Sequence, residues 1–138
     1  MSERAAKREN AQGIISSAYL KDPTDIQWKD DKGMKAWNEF LDKYYPEANR
    51  TDAPVMYAYT VAQGLVHVLK ACGDDRTRAN IMKQAASIKD LELDGLLPGI
   101  KVNTSGTDLA PLSQIQLERF KGGTWELFGE ILSGDVGG

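Results

Sequence analysis

Residues 53–72 read APVMYAYTVAQGLVHVLKAC and run directly into Gly73. Val55, Tyr59, Ala62, Val66 and Leu69 recur at steps of three and four, the spacing that puts side chains on one stripe of a helix. Gln63, His67 and Lys70 fall on another face. Pro54 suits a first turn, where its missing N–H has no intrahelical partner to lose. Thr51 or Asp52 can cap that end, and Gly73 supplies the left-handed residue that closes many helices. The spacing therefore predicts a helix over 53–72, the longest and best-punctuated element in the chain.

Upstream, Pro46 and the polar residues EANRTD separate this helix from GMKAWNEFLDKYY, residues 33–45. There Met34, Trp37, Leu41 and Tyr44 or Tyr45 repeat at helical spacing and read as a core-facing stripe. Residues 22–32, DPTDIQWKDDK, are punctuated as a loop. The aspartates Asp22, Asp25, Asp30 and Asp31 lack the alternating ligands and sharp-turn glycine of a calcium loop, so a solvated loop is expected. GIISSAYL, residues 13–20, reads as a strand from its β-branched and aromatic content. Residues 1–12 are a charged lead-in.

Downstream, residues 77–88 read as a shorter helix capped by Asp75 or Thr77. Its apolar side comprises Ala79 or Asn80, Ile81, Met82, Ala85 and Ile88. Gly95, Pro98 and Gly99 divide a loop from a strand predicted at 100–103. Residues 104–111 read as loop. Residues 112–120 and 124–132 flank Gly122-Gly123, a pair suited to the positive φ angles of a two-residue hairpin turn. That turn sets Phe120 opposite Trp125, Arg119 opposite Glu126 and Leu117 opposite Phe128. Residues 135–138 read as a flexible tail.

The chain has 138 residues, 41% hydrophobic and 27% charged, a composition suited to one globular domain. A net charge of -3 offers no basic footprint for nucleic acid. The longest apolar run is broken by Gln63, His67 and Lys70, which argues against membrane insertion. Cys72 is the one cysteine and reads as a small buried residue at a helix end. The opening residues MSERAAKRENAQ lack the apolar core of a signal peptide. The triplets at Asn49 and Asn103 fit the glycosylation pattern but are short enough to arise by chance.

Catalytic chemistry finds little support. His67, the only histidine, has no carboxylate or nucleophile at a spacing that pairs with it. One His and one Cys make a transition-metal site unfavourable, and the paired glycines lie between strands rather than before a helix. The expectation is no catalytic residue, no cofactor and no metal.

GIISSAYLKDPTDIQWKDD, GMKAWNEFLDKYYPE, YAYTVAQGLVHVLKACGDD, RANIMKQAASIKDLELDGLLPGIKVNTSGTD and QIQLERFKGGTWELFGEILSG form an ordered series. The series resembles the C-terminal part of ABC transporter substrate-binding proteins of the branched-chain amino acid (Leu/Ile/Val-binding) type, which have a type I periplasmic binding fold. The resemblance spans residues 13–134. It implies an α/β chain carrying part of that fold: three main helices, short strands and a C-terminal antiparallel hairpin, drawn from both lobes. Residues 13–45 and the hairpin would belong to the second lobe, and the central helix and its successor to the first.

By the same resemblance, the chain would bind a small molecule such as an amino acid or an aromatic or organic acid, with an ABC permease as partner. The family's cleft contacts come partly from the loop entering the central helix, which implies Pro54 and Val55, with Tyr57 nearby and Tyr19 as an outlying candidate. The family's N-terminal segment, with most of the first lobe's parallel sheet and the export signal, has no counterpart in these residues. A truncated solute-binding protein is therefore expected. Its helices would expose apolar stripes and call for a homo-oligomer. The alternative is an oligomeric remnant with a structural or interaction role and no transport ligand. The family is periplasmic, whereas the missing signal leaves the cytoplasm open.

Overall fold

Gly122 and Gly123 take φ values of 64° and 98°, the conformation that lets two strands reverse with the native twist. They join β2 (Gln114–Lys121) to β3 (Thr124–Ser133). Leu117 faces Phe128, Arg119 faces Glu126 and Phe120 faces Trp125, the register predicted from the turn. The Phe120 and Trp125 rings meet edge to face at 5.3 Å. Arg119 leaves Glu126 to Lys121 and lies over the Phe128 ring at 4.8 Å. The computed structural model describes residues 8–134. The tail expected at 135–138 and most of the lead-in lie outside the described residues.

β1 (Ile15–Ala18) pairs antiparallel with β2, giving a sheet of order β1-β2-β3. β1 is shorter than the strand predicted over 13–20. Beyond Ala18 the chain leaves the sheet, and Leu20 makes a single bridge to Leu96. β3 carries a bulge, because Ile115 faces Leu132 while Leu117 faces Phe128. Gly129 provides the positive φ there. The buried Gln116 amide donates to the Phe128 and Gly129 carbonyls at 2.7 and 2.8 Å, satisfying the groups the bulge frees.

Three α-helices lie between β1 and β2 in the chain. α1 (Lys32–Tyr44) begins at Asp31, whose side chain accepts from the Met34 N–H. It buries Gly33, Met34, Trp37 and Leu41. Tyr44 and Tyr45, expected to continue that stripe, are exposed. α2 (Ala53–Ala71) starts beside Pro54 and ends at Cys72. α3 (Arg78–Ala85) is capped by the Thr77 side chain. It stops short of the predicted residue 88, because Thr104 Oγ1 donates to the Ala85 carbonyl and accepts from the Ile88 N–H, replacing the helix bonds. Met82, expected on the apolar side, is exposed.

The core forms two clusters. One gathers Val68, Cys72, Ile88, Leu96, Leu97, Ile100 and Val102, with Leu127 and Ile131 of β3 packed against it. The other holds Met34, Trp37, Leu41 and Met56, and Trp28 touches both. Ile100 and Val102 come from the segment predicted as a strand at 100–103, and this is a correction. The segment makes only one bridge, Leu91 to Val102, and Gly99 turns the chain just before it. Its β-branched residues are there for burial rather than for pairing.

On α2 the buried side is Met56, Thr60 and Val68, leading to Cys72, while Ala62, Val66 and Leu69 of the stripe from Val55 to Leu69 are exposed. Both stripes have helical spacing. Thr60 selects the buried one, since the loop at Gly95 approaches so closely that a Cβ there would strike Thr60 Oγ1 and Met56 Sδ. Of the aspartates of 22–32, Asp22 and Asp30 are exposed as expected, whereas Asp25 and Asp31 are partly buried. Asp25 accepts from Thr124 Oγ1 at 2.6 Å and from the Trp125 N–H at 3.0 Å. Asp31 pairs with the buried Lys21 at 2.7 Å. Among the described residues no group of acids, histidines or cysteines is arranged to hold a metal ion. No helix among them is long and apolar enough to cross a membrane.

Candidate functional site

The stripe of α2 that the core leaves out forms the floor of an open trough of about 820 Å³. Val55, Ala58, Tyr59, Ala62 and Val66 line it from α2, Phe40, Leu41 and Tyr45 from α1 and the residue after it, and Leu93 from the loop that crosses α2. Its wall is aromatic where the helices meet: the Phe40 ring lies 5.0 Å from Tyr44 and 5.2 Å from Tyr59. Phe40, Tyr45 and Val66 are each more than two-fifths exposed, so the trough is an apolar surface facing water.

One polar corner interrupts it. Tyr59 Oη donates to Asp94 Oδ2 at 3.2 Å, and Gln63 Nε2 donates to the same oxygen at 2.6 Å. Gln63 Oε1 accepts from the Asp94 N–H at 3.1 Å. Burial, and then the Asp94 charge beside it, push the Tyr59 hydroxyl up to about 12, so it stays a protonated donor at neutral pH. His67 and Lys70 stand on the rim. The arrangement offers apolar area with a hydrogen-bonded carboxylate behind it, and pairs no nucleophile with a base.

Pro54 and Val55 line the trough at the N-terminal end of α2. Tyr57 lies one step round the helix, half exposed and outside the lining. Tyr19 is remote: half buried after β1, it packs against the first core cluster, and its carbonyl accepts from the Leu97 N–H. Phe40, Tyr45, Tyr59 and Leu93 were not anticipated as lining residues. The signal for Tyr59 was present in the apolar stripe of residues 53–72 itself.

The path of the chain matches solved structures. A branched-chain amino acid ABC transporter protein from Thermus thermophilus, solved with bound valine, overlays 92% of this chain with a TM-score of 0.69 at 13% identity. The fold is therefore part of a periplasmic-binding-protein fold. The leucine-binding protein LivK from Thermotoga maritima overlays the same share with a TM-score of 0.53 at 12% identity. The chain spans about a third of either protein, 35% and 33% of their lengths. No family model matches the chain, and no curated protein matches it. Within this fold the trough lies between two consecutive helices, and β3 of the hairpin packs against the first core cluster.

Proposed function

We propose that this chain serves solute binding for an ABC transporter, without catalysis. The ligand class is a small molecule such as an amino acid or an aromatic or organic acid. One observation carries the reading: the TM-score of 0.69 over 92% of the chain to a transporter protein solved with valine. The trough supports it with apolar area and an aromatic wall suited to a hydrophobic side chain. In this reading Pro54 and Val55 contact the solute and Tyr57 flanks them, whereas Tyr19 stands outside. An ABC permease and a second copy of the chain are the protein partners, and the periplasm is the compartment that goes with such a role.

A thermal-shift screen against amino acids, aromatic acids and short dicarboxylates tests this. A ligand at about a hundred times its dissociation constant adds roughly 2.7 kcal/mol to the folded state, which raises the melting temperature by several degrees. A saturating shift that Val55→Asp abolishes is the expected result. No shift across the library overturns the reading.

A further inference from the structure

The two ends of the trough differ in chemistry. Its α2 side is one unbroken stripe that climbs at alternating steps of three and one, from Val55 and Ala58 to His67 and Lys70. The aromatic wall of Phe40 and Tyr59 stands toward the lower end. Lys70 lies about three turns, roughly 16 Å, beyond Tyr59 and ends the stripe beside His67.

The fixed charge at its surface is of one sign. Among the described residues Lys70 lines the trough, and no aspartate or glutamate does. The Lys70 side chain is exposed and has no ion pair or hydrogen bond among those residues. Asp94 stands outside the lining and accepts from Tyr59 Oη and Gln63 Nε2. We propose, on the reading of the trough as the solute site, that its solute is an aromatic carboxylate that carries no amino group. The ring packs on Phe40 and Tyr59, and the carboxylate pairs with Lys70, with the His67 ring as a second donor.

The other solutes of this size fit less well. An amino acid adds an ammonium. With the carboxylate on Lys70, that ammonium sits beside a like charge and finds no carboxylate on the lining to accept its protons. A dicarboxylate leaves its second charge against apolar side chains. An aliphatic acid keeps the Lys70 contact and loses the ring-on-ring packing with the aromatic wall. Helical side chains slope back toward the N-terminus, so the Lys70 stem covers part of the interval that a ring on a short carbon arm must span.

The test is calorimetric titration of the full chain with four probes that share one ring: 3-phenylpropionate, phenylalanine, 3-phenylpropionamide and 2-phenylethylamine. The acid should bind tightest, with phenylalanine and the amide about 3- to 10-fold weaker and the amine weakest. Added salt should weaken the acid and leave the amide unchanged. Lys70→Gln, at an exposed position and with a residue that suits a helix, should bring the acid to the affinity of the amide. Lys70→Arg should keep the preference for the acid, and Lys70→Glu should transfer it to the amine.

Phenylalanine binding as tightly as 3-phenylpropionate overturns the proposal and leaves the trough a solute site. So does an affinity for the acid that neither salt nor Lys70→Gln changes. Failure of all four probes to bind overturns the proposal, and the wider library of the thermal-shift screen then decides whether the binding reading falls with it.

Discussion

Gln63 grips Asp94 with both ends of its carboxamide, its oxygen accepting from the Asp94 N–H at 3.1 Å and its nitrogen donating to the Asp94 carboxylate at 2.6 Å. The two residues are 31 apart in the chain, so the pair clamps the crossing loop to α2. Gln63→Ala leaves both Asp94 groups short of a partner in a half-buried corner and should cost about 1–3 kcal/mol, read from urea unfolding. Gln63→Glu, which sets a carboxylate against Asp94, should cost more.

The same corner titrates at high pH. Tyr59 is pushed up to about 12 from 10.0, first by burial and then by Asp94. Above pH 10 the unfolded chain loses this proton while the folded chain keeps it, so stability falls as pH rises from 10 to 12. Tyr59→Phe should flatten that part of the stability curve, followed by thermal unfolding across the window.

Gly95 and Gly106 make a controlled pair. A Cβ on Gly95 would strike Thr60 Oγ1 and Met56 Sδ on a rigid helix face, whereas one on Gly106 meets nothing within 4 Å. Gly95→Ala should cost about 1–3 kcal/mol or more, and Gly106→Ala should change stability little. Equal midpoints in urea for the two variants would contradict the close approach of the loop to α2.

That approach also marks the limit of the sequence reading. The hairpin register was legible because Gly122-Gly123 and the alternation on either side are local, and local geometry decides them. The ends of α2 were legible from Asp52, Pro54 and Gly73 for the same reason. Which side of α2 packs inward was not, since its two stripes differ little in apolar content and the choice rests on Gly95, far along the chain, meeting Thr60. Ile100 and Val102 misled in a related way, because burial and strand pairing favour the same β-branched residues. At the trough, Pro54 and Val55 were named only through the family resemblance, and both lie in its lining. Phe40 and Tyr59 were hidden because the trough forms where α1 meets α2, a pairing that neither helix's own spacing specifies.

Asp31 gives an acid-side prediction. Burial alone would raise its carboxyl, but the hydrogen bond from Lys21, the Met34 N–H and the Lys21 charge outweigh it and hold the group below 3.8. A depressed folded value contributes stability above the unfolded value, and this is lost as pH falls through the folded one. Asn at this position keeps the helix cap and loses the ion pair with buried Lys21. Asp31→Asn should therefore lower stability at pH 7 by about 1–3 kcal/mol, with the two proteins converging as the pH falls below the lowered folded value.

Glu118 works in the opposite sense. It lies on β2, and burial, followed by the charges of Asp22 and Asp25, raises its carboxyl above 4.5. No hydrogen bond or ion pair to its side chain offsets this among the described residues, so ionisation disfavours the folded state. For a raised carboxyl, the folded chain binds the proton more tightly than the unfolded one. Stability then falls as pH rises through 4.5 to the folded value, and the loss persists at neutral pH. Glu118→Gln keeps the shape and removes the charge. It should raise the melting temperature at pH 7 and leave it nearly unchanged at pH 3.5, where the wild-type carboxyl is protonated in the folded state. A variant less stable than wild type at pH 7 would mean that the Glu118 carboxylate has a stabilising partner after all.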